Sequence, residues 1–249
     1  MKKLILLTAL STALTMSGFT QTDTEFEADS QWSGGLELAS TNKYLWRGMT
    51  VNDGFILQPC VWLTYQSLTF TLWNSTTLTE PNDDIKRPEV DATLSYELEW
   101  QNFAFESFFS YYHYINQVDA TNTGEVGLDI GYTMGLFTLS AAGIVDVIDS
   151  YGSFYFEQKL EAEKDFGDHW TAYSALTLGE GLEQFNDFYF GMSRSTFSLL
   201  SFDARLSYTF DNGFYAQPYF QVNKTLDSDL ESYIKKHTNA IGLALGREF

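Results

Sequence analysis

Apolar and polar residues alternate with a period of two along most of the chain. The cleanest run, Glu89–Trp100, places Val90, Ala92, Leu94, Tyr96, Leu98 and Trp100 on one face, with Asp91, Thr93, Ser95, Glu97 and Glu99 on the other. The same alternation recurs over Glu125–Met134, Ser201–Phe210 and Gly213–Val222. A period of two sends successive side chains to opposite faces, so each run predicts a β-strand with one apolar and one polar face. The runs are about ten residues long, the length a tilted strand needs to cross a bilayer. No segment carries the pattern of an amphipathic helix.

Counting such runs predicts twelve strands, over 32–46, 54–65, 68–78, 88–100, 103–115, 124–134, 136–148, 153–165, 169–179, 197–210, 214–224 and 239–249. The connections alternate between tight turns, such as Gln66-Ser67 and Gln101-Asn102, and longer polar loops such as Gly179–Thr196 and Leu226–Thr238. That asymmetry is the pattern of periplasmic turns and extracellular loops. The expected fold is therefore all-β: a transmembrane antiparallel β-barrel of about twelve strands, occupying 31–249. The weakest stretch is 180–210, where an extra strand pair or a lost one would give fourteen or ten. The last strand ends on an aromatic residue, Phe249, which looks like the C-terminal signal read by the outer-membrane barrel assembly machinery.

The N-terminus changes the picture by adding a compartment. Lys2 and Lys3 precede an apolar run from Leu4 to about Met16, followed by small and polar residues. This is the order of a secretory signal peptide, expected over 1–20, with a short periplasmic lead over 21–30. Charge points the same way: the chain carries −19 overall, and losing the first 20 residues removes two lysines and no acid. Nucleic-acid binding, which needs a basic footprint, is excluded. One cysteine, Cys60, allows no internal disulfide. Aromatic residues reach 17% and charged ones only 19%, below the charged share usual in soluble domains. A barrel in the bacterial outer membrane, in contact with lipid and lipopolysaccharide, accounts for this combination; a soluble sandwich is the competitor.

The segment Asn42–Met49, followed by Gly54–Tyr65, resembles the TorF-like family of small outer-membrane porins. The resemblance rests on Tyr44, Trp46, Arg47 and Gly48 and on the later Gln58-Pro59. The stretch Ser201–Val222 is also similar to that family's penultimate hairpin. The resemblance implies a barrel and porin-like activity.

Alternation then assigns faces. A charge on the lipid face costs about 2–4 kcal/mol at mid-membrane, so the charged positions are expected in the lumen. They are Glu37, Arg47, Asp91, Glu97, Glu99, Glu106, Glu125, Asp129, Glu157, Lys159, Glu161, Asp203 and Arg205, together with Asp146, Glu163 and Glu248. Acids far outnumber bases. An acidic pathway favours cations and polar neutral solutes, so a passive channel for small polar or cationic solutes is expected. The alternative is a non-conducting barrel whose lumenal charges plug it and whose outer loops bind partners. Arg47 reads as a structural anchor for lumenal carboxylates rather than a solute contact. An interfacial aromatic belt is expected from Tyr44, Trp46, Tyr111 and Phe249, joined by Tyr112, His113 and Tyr114.

A barrel hydrolase is a distant third reading. His113, His169 and His237 are scattered, and no serine stands beside His113 on its face, so no catalytic residue is assigned. Asp227, Asp229 and Glu231 alternate but lack the glycine and ligand count of a calcium loop. No metal or cofactor is expected.

Overall fold

The computed structural model describes residues 31–79, 88–117 and 120–249. The expected signal peptide (1–20), the lead (21–30) and the acidic loop 80–87 lie outside the described residues. Twelve antiparallel strands close into one barrel: β1 (Trp32–Trp46), β2 (Met49–Tyr65), β3 (Leu68–Thr79), β4 (Glu89–Trp100), β5 (Phe103–Tyr114), β6 (Thr123–Met134), β7 (Phe137–Asp146), β8 (Phe154–Phe166), β9 (Trp170–Gly181), β10 (Thr196–Thr209), β11 (Phe214–Thr225) and β12 (His237–Glu248). Each strand pairs with its sequence neighbours, and β1 pairs with β12 from Gly35↔Glu248 to Thr41↔Gly242. The final residue completes the seam, since Gly34 and Phe249 exchange backbone hydrogen bonds at 2.9 Å. Closure leaves no unpaired edge, which a bilayer interior would not tolerate.

Strand bounds lie within two residues of those expected from alternation, with one exception: β2 begins at Met49, not 54. The stretch 180–210 holds neither an extra strand pair nor a loop alone. It contains the helix α1 (Glu183–Phe190), which the sequence reading missed. Ser195 Oγ accepts the Glu183 N–H at 3.0 Å, doing from a distance what a capping side chain usually does. Gly191, at φ 62°, ends the helix in the left-handed conformation, and its N–H and that of Met192 bond back to Asp187 and Asn186.

The outward face is apolar around the whole barrel: Leu36, Leu63, Leu94, Leu128, Leu160 and Leu243 are all more than two-fifths exposed. No water-soluble surface would present so continuous an apolar band. Aromatic residues gather at the end holding the short turns, where Trp32 meets Tyr65 at 4.6 Å and Trp170 meets Tyr208 at 4.8 Å. Such a girdle marks the bilayer–water interface. The band and girdle place the barrel in an outer membrane, with the start of β1 and Phe249 on the short-turn, periplasmic side.

Inside, several aromatic rings lie flat against glycines of the next strand. Phe108 covers Gly127 and Tyr215 covers Gly246, and each pair is directly opposite in register. A Cβ at either glycine would fall within the facing ring. The missing side chain thus lets the ring hug the wall. Replacing Gly246 by valine should lower unfolding free energy in lipid vesicles by about 1–3 kcal/mol, because Tyr215 must leave its position. Urea titration followed by tryptophan fluorescence measures this; an unchanged midpoint would contradict the packing.

Candidate functional site: a stoppered mouth above an acidic lumen

The β1–β2 hairpin ends in a two-residue turn, Arg47-Gly48, between the paired residues Trp46 and Met49. Both turn residues have positive φ, 46° and 87°. That combination suits the type I′ turns that follow the twist of a hairpin. Glycine adopts it freely, whereas for arginine the left-handed region costs about 1–2 kcal/mol. The Arg47 side chain supplies contacts that offset this cost.

That side chain is buried and makes a bidentate ion pair with Glu125 on β6: Nη1 to Oε1 at 2.7 Å and Nη2 to Oε2 at 2.9 Å. The Tyr112 hydroxyl on β5 also donates to Glu125 Oε2, at 2.9 Å. The guanidinium lies over the rings of Trp46 and Tyr155, each 4.6 Å from centroid to carbon, and 5.4 Å from Phe185 on α1. Since β3, β4 and β5 stand between the hairpin and β6 in the wall, the ion pair bridges the lumen. Charge-assisted bidentate bonds are among the strongest a protein makes, and an aromatic surround strengthens them by excluding water.

Four outer segments converge around this pair. Tyr155, Phe185, Phe190, Leu230 and Ile234 form one buried apolar cluster, and Trp46, Met49, Tyr189 and Met192 pack against it. Leu230 belongs to the short 3-10 helix Leu230–Ser232 between β11 and β12. The hairpin tip, α1 and this turn together stopper the extracellular mouth. Asn186 ties the helix down, its Nδ2 donating to the carbonyls of Gly181 and Arg194 at 2.7 and 2.8 Å.

The expected belt needs three corrections. Tyr44 is buried inside, against Trp73 at 5.4 Å, instead of facing lipid. Trp46 turns onto the stopper, 5.1 Å from Tyr189. The β1–β2 ladder is irregular here, with register shifts between Thr41 and Lys43 and between Tyr44 and Leu45, and in each shift the extra residue falls on β2. Bulges re-aim side chains, and strict alternation stops being a guide to facing across this stretch. Tyr112 is also inside, bound to Glu125. Tyr111 is exposed on the outer wall, and Phe249 is exposed at the periplasmic rim.

At and below the stopper, Asp91, Glu125, Asp129, Glu157, Lys159, Glu161 and Arg205 are buried within the barrel, and Glu37, Glu97, Glu106 and Asp203 are half-buried. Glu99 is exposed near the periplasmic end of β4. Register brings Glu97, Glu106 and Asp129 side by side on β4, β5 and β6. Asp129 Oδ1 and Glu97 Oε1 are buried without a hydrogen-bond partner. Tyrosines hold other acids, with Tyr215 donating to Glu37 at 2.7 Å and Tyr173 to Glu161 at 2.5 Å. Lys43, not singled out from the sequence, pairs with Asp53 across the β1–β2 ladder at 2.9 Å. Tyr155, Phe185 and Tyr112 were missed as well. Only the Phe185–Tyr189 spacing and Gly191 hinted at the helix that supplies one of them.

The alternating acids of the last outer loop meet cations of the protein itself. Asp227 and Asp229 converge on Arg194 at 2.8 Å, and Glu231 pairs with Lys236 at 2.9 Å. A hydrogen bond from the Thr196 hydroxyl, then the Asp229 backbone N–H and Arg194, hold the Asp227 carboxyl below the usual carboxylate range. A depressed value means that this clasp stabilises the loop fully above the unfolded value of about 3.9 and loses its contribution as pH falls through the folded one. A carboxyl NMR titration of Asp227 should show a midpoint below about 3.9 that rises in Thr196→Ala. A wild-type midpoint at or above that value would contradict the clasp.

No protein-family model matches the chain, and no curated protein matches its sequence. Its fold, however, is shared with solved outer-membrane proteins. A KdgM porin superposes with a TM-score of 0.55 at 10% identity, covering 86% of this chain and 99% of that one. The KdgM porin in complex with disordered oligogalacturonate gives 0.54 at 9% identity, over 87% and 99%. The COG4313 outer membrane channel from Pseudomonas putida F1 gives 0.47 at 13% identity, over 88% and 95%. The two KdgM superpositions show that the chain has the outer-membrane porin fold.

Proposed function

We propose that the protein is a porin-like passive channel for small cationic or polar solutes, closed at its outer mouth in the state described. The observation that carries this reading is the lumenal row Glu97, Glu106 and Asp129. Like charges directly opposite on paired strands weaken a sheet, so three adjacent acids are a costly arrangement for a wall with a structural role alone. Carboxylates facing one pathway act instead as a cation filter. The similarity of the Tyr44–Gly48 segment to TorF-like porins supports the same reading. Oligogalacturonate, held by one structural neighbour, is a polyanion and would be repelled here.

The stopper favours a second reading, a non-conducting barrel of structural or partner-binding use. Planar-bilayer recordings in a salt gradient separate the two. Wild-type protein should show small or infrequent openings with a cation-selective reversal potential, and Arg47→Ala should raise the open probability several-fold. Combining Glu97→Gln, Glu106→Gln and Asp129→Asn should shift the reversal potential toward zero. Silence from well-inserted wild type and Arg47→Ala alike would leave only the non-conducting barrel.

A further inference from the structure

The walls around the Arg47 guanidinium come mostly from parts of the chain other than the hairpin that carries it. Glu125 belongs to β6, Tyr112 to β5, Tyr155 to β8 and Phe185 to α1. Only Trp46 travels with Arg47. Withdrawal of the tip would leave a buried carboxylate, braced by a tyrosine hydroxyl, beside two aromatic faces. A planar, delocalised cation satisfies such a set: the carboxylate accepts two parallel N–H bonds, and the rings receive the weakly hydrated faces. A compact ammonium satisfies it poorly, since it offers no fork.

The pairing is end-on. Both terminal nitrogens reach Glu125, whereas Nε has no partner. The alkyl substituent on Nε therefore leaves on the side away from the carboxylate, so a guanidinium with one alkyl substituent fits without rearrangement of the site. We propose that this mouth site binds monoalkyl guanidinium compounds and that Arg47 occupies it as a built-in pseudo-ligand, so that a free guanidinium competes with the hairpin tip for Glu125. The consequence for conduction rests on the channel reading; the binding itself does not. Tethering gives Arg47 an effective concentration of roughly millimolar or more, so the wild-type barrel responds only to high ligand concentrations and the emptied site reports best.

The test uses the refolded barrel carrying Arg47→Ala, titrated calorimetrically with methylguanidinium and, separately, with methylammonium. Methylguanidinium should bind at least about tenfold more tightly than methylammonium. Adding Glu125→Gln should weaken it by about tenfold or more. Equal affinities for the two cations, or indifference to Glu125→Gln, would overturn the proposal. Should Arg47→Ala fail to refold alone, the yield of heat-modifiable barrel with methylguanidinium present becomes the readout: recovery supports the site, and none refutes it. In bilayers, methylguanidinium should reduce the Arg47→Ala current. Tight, Glu125-dependent binding without any current would retain the site and reject the channel.

Discussion

A guanidinium and a carboxylate paired out of water, across the lumen of a barrel, set the form of the outer half of this protein. Breaking such a pair by removing one partner costs about 3–5 kcal/mol, because the other charge is left buried and alone. Glu125 receives the Arg47 side chain from its left-handed turn, and Glu125 is aimed by Tyr112 from the neighbouring strand. The hairpin tip is thereby drawn inward over the mouth. Trp46 and Met49 come with it, and they meet Phe185 on α1 and the apolar residues of the last outer turn. One ion pair thus organises four segments that the barrel wall alone would leave separate.

The wall obeys a simpler constraint. Lipid outside and a polar lumen inside require opposite faces from every strand, and the strict alternation of the chain meets that requirement. This is why fold and strand number were legible in the sequence. Asp91, Asp129 and Arg205 alternate with apolar residues, and all three are buried.

The mouth was less legible because it departs from alternation. Two register shifts in the β1–β2 ladder after Thr41 break the alternation, and Tyr44 and Trp46, read as lipid-facing, pack into the buried clusters instead. Arg47-Gly48 lacks the Asn-Gly or Asp-Gly signature of a two-residue hairpin turn, so the sequence pattern starts β2 later than Met49. The helix Glu183–Phe190 spans only eight residues, and lacks a side-chain cap at Leu182; its first-turn partner, Ser195, is twelve positions away. Glu125 could be assigned to the lumen, but its partner could not be named. A contact between residues 78 positions apart depends on closing the barrel first.

The central claim is that Arg47 and Glu125 act as one unit across the lumen. A double-mutant cycle measures it directly, from the unfolding free energies of wild type, Arg47→Ala, Glu125→Ala and the double variant in lipid vesicles. The ion pair predicts a coupling of about 1–3 kcal/mol, with the double variant less destabilised than the two single losses combined. Losses that simply add would mean that the two side chains do not meet, and that the hairpin tip does not close the mouth.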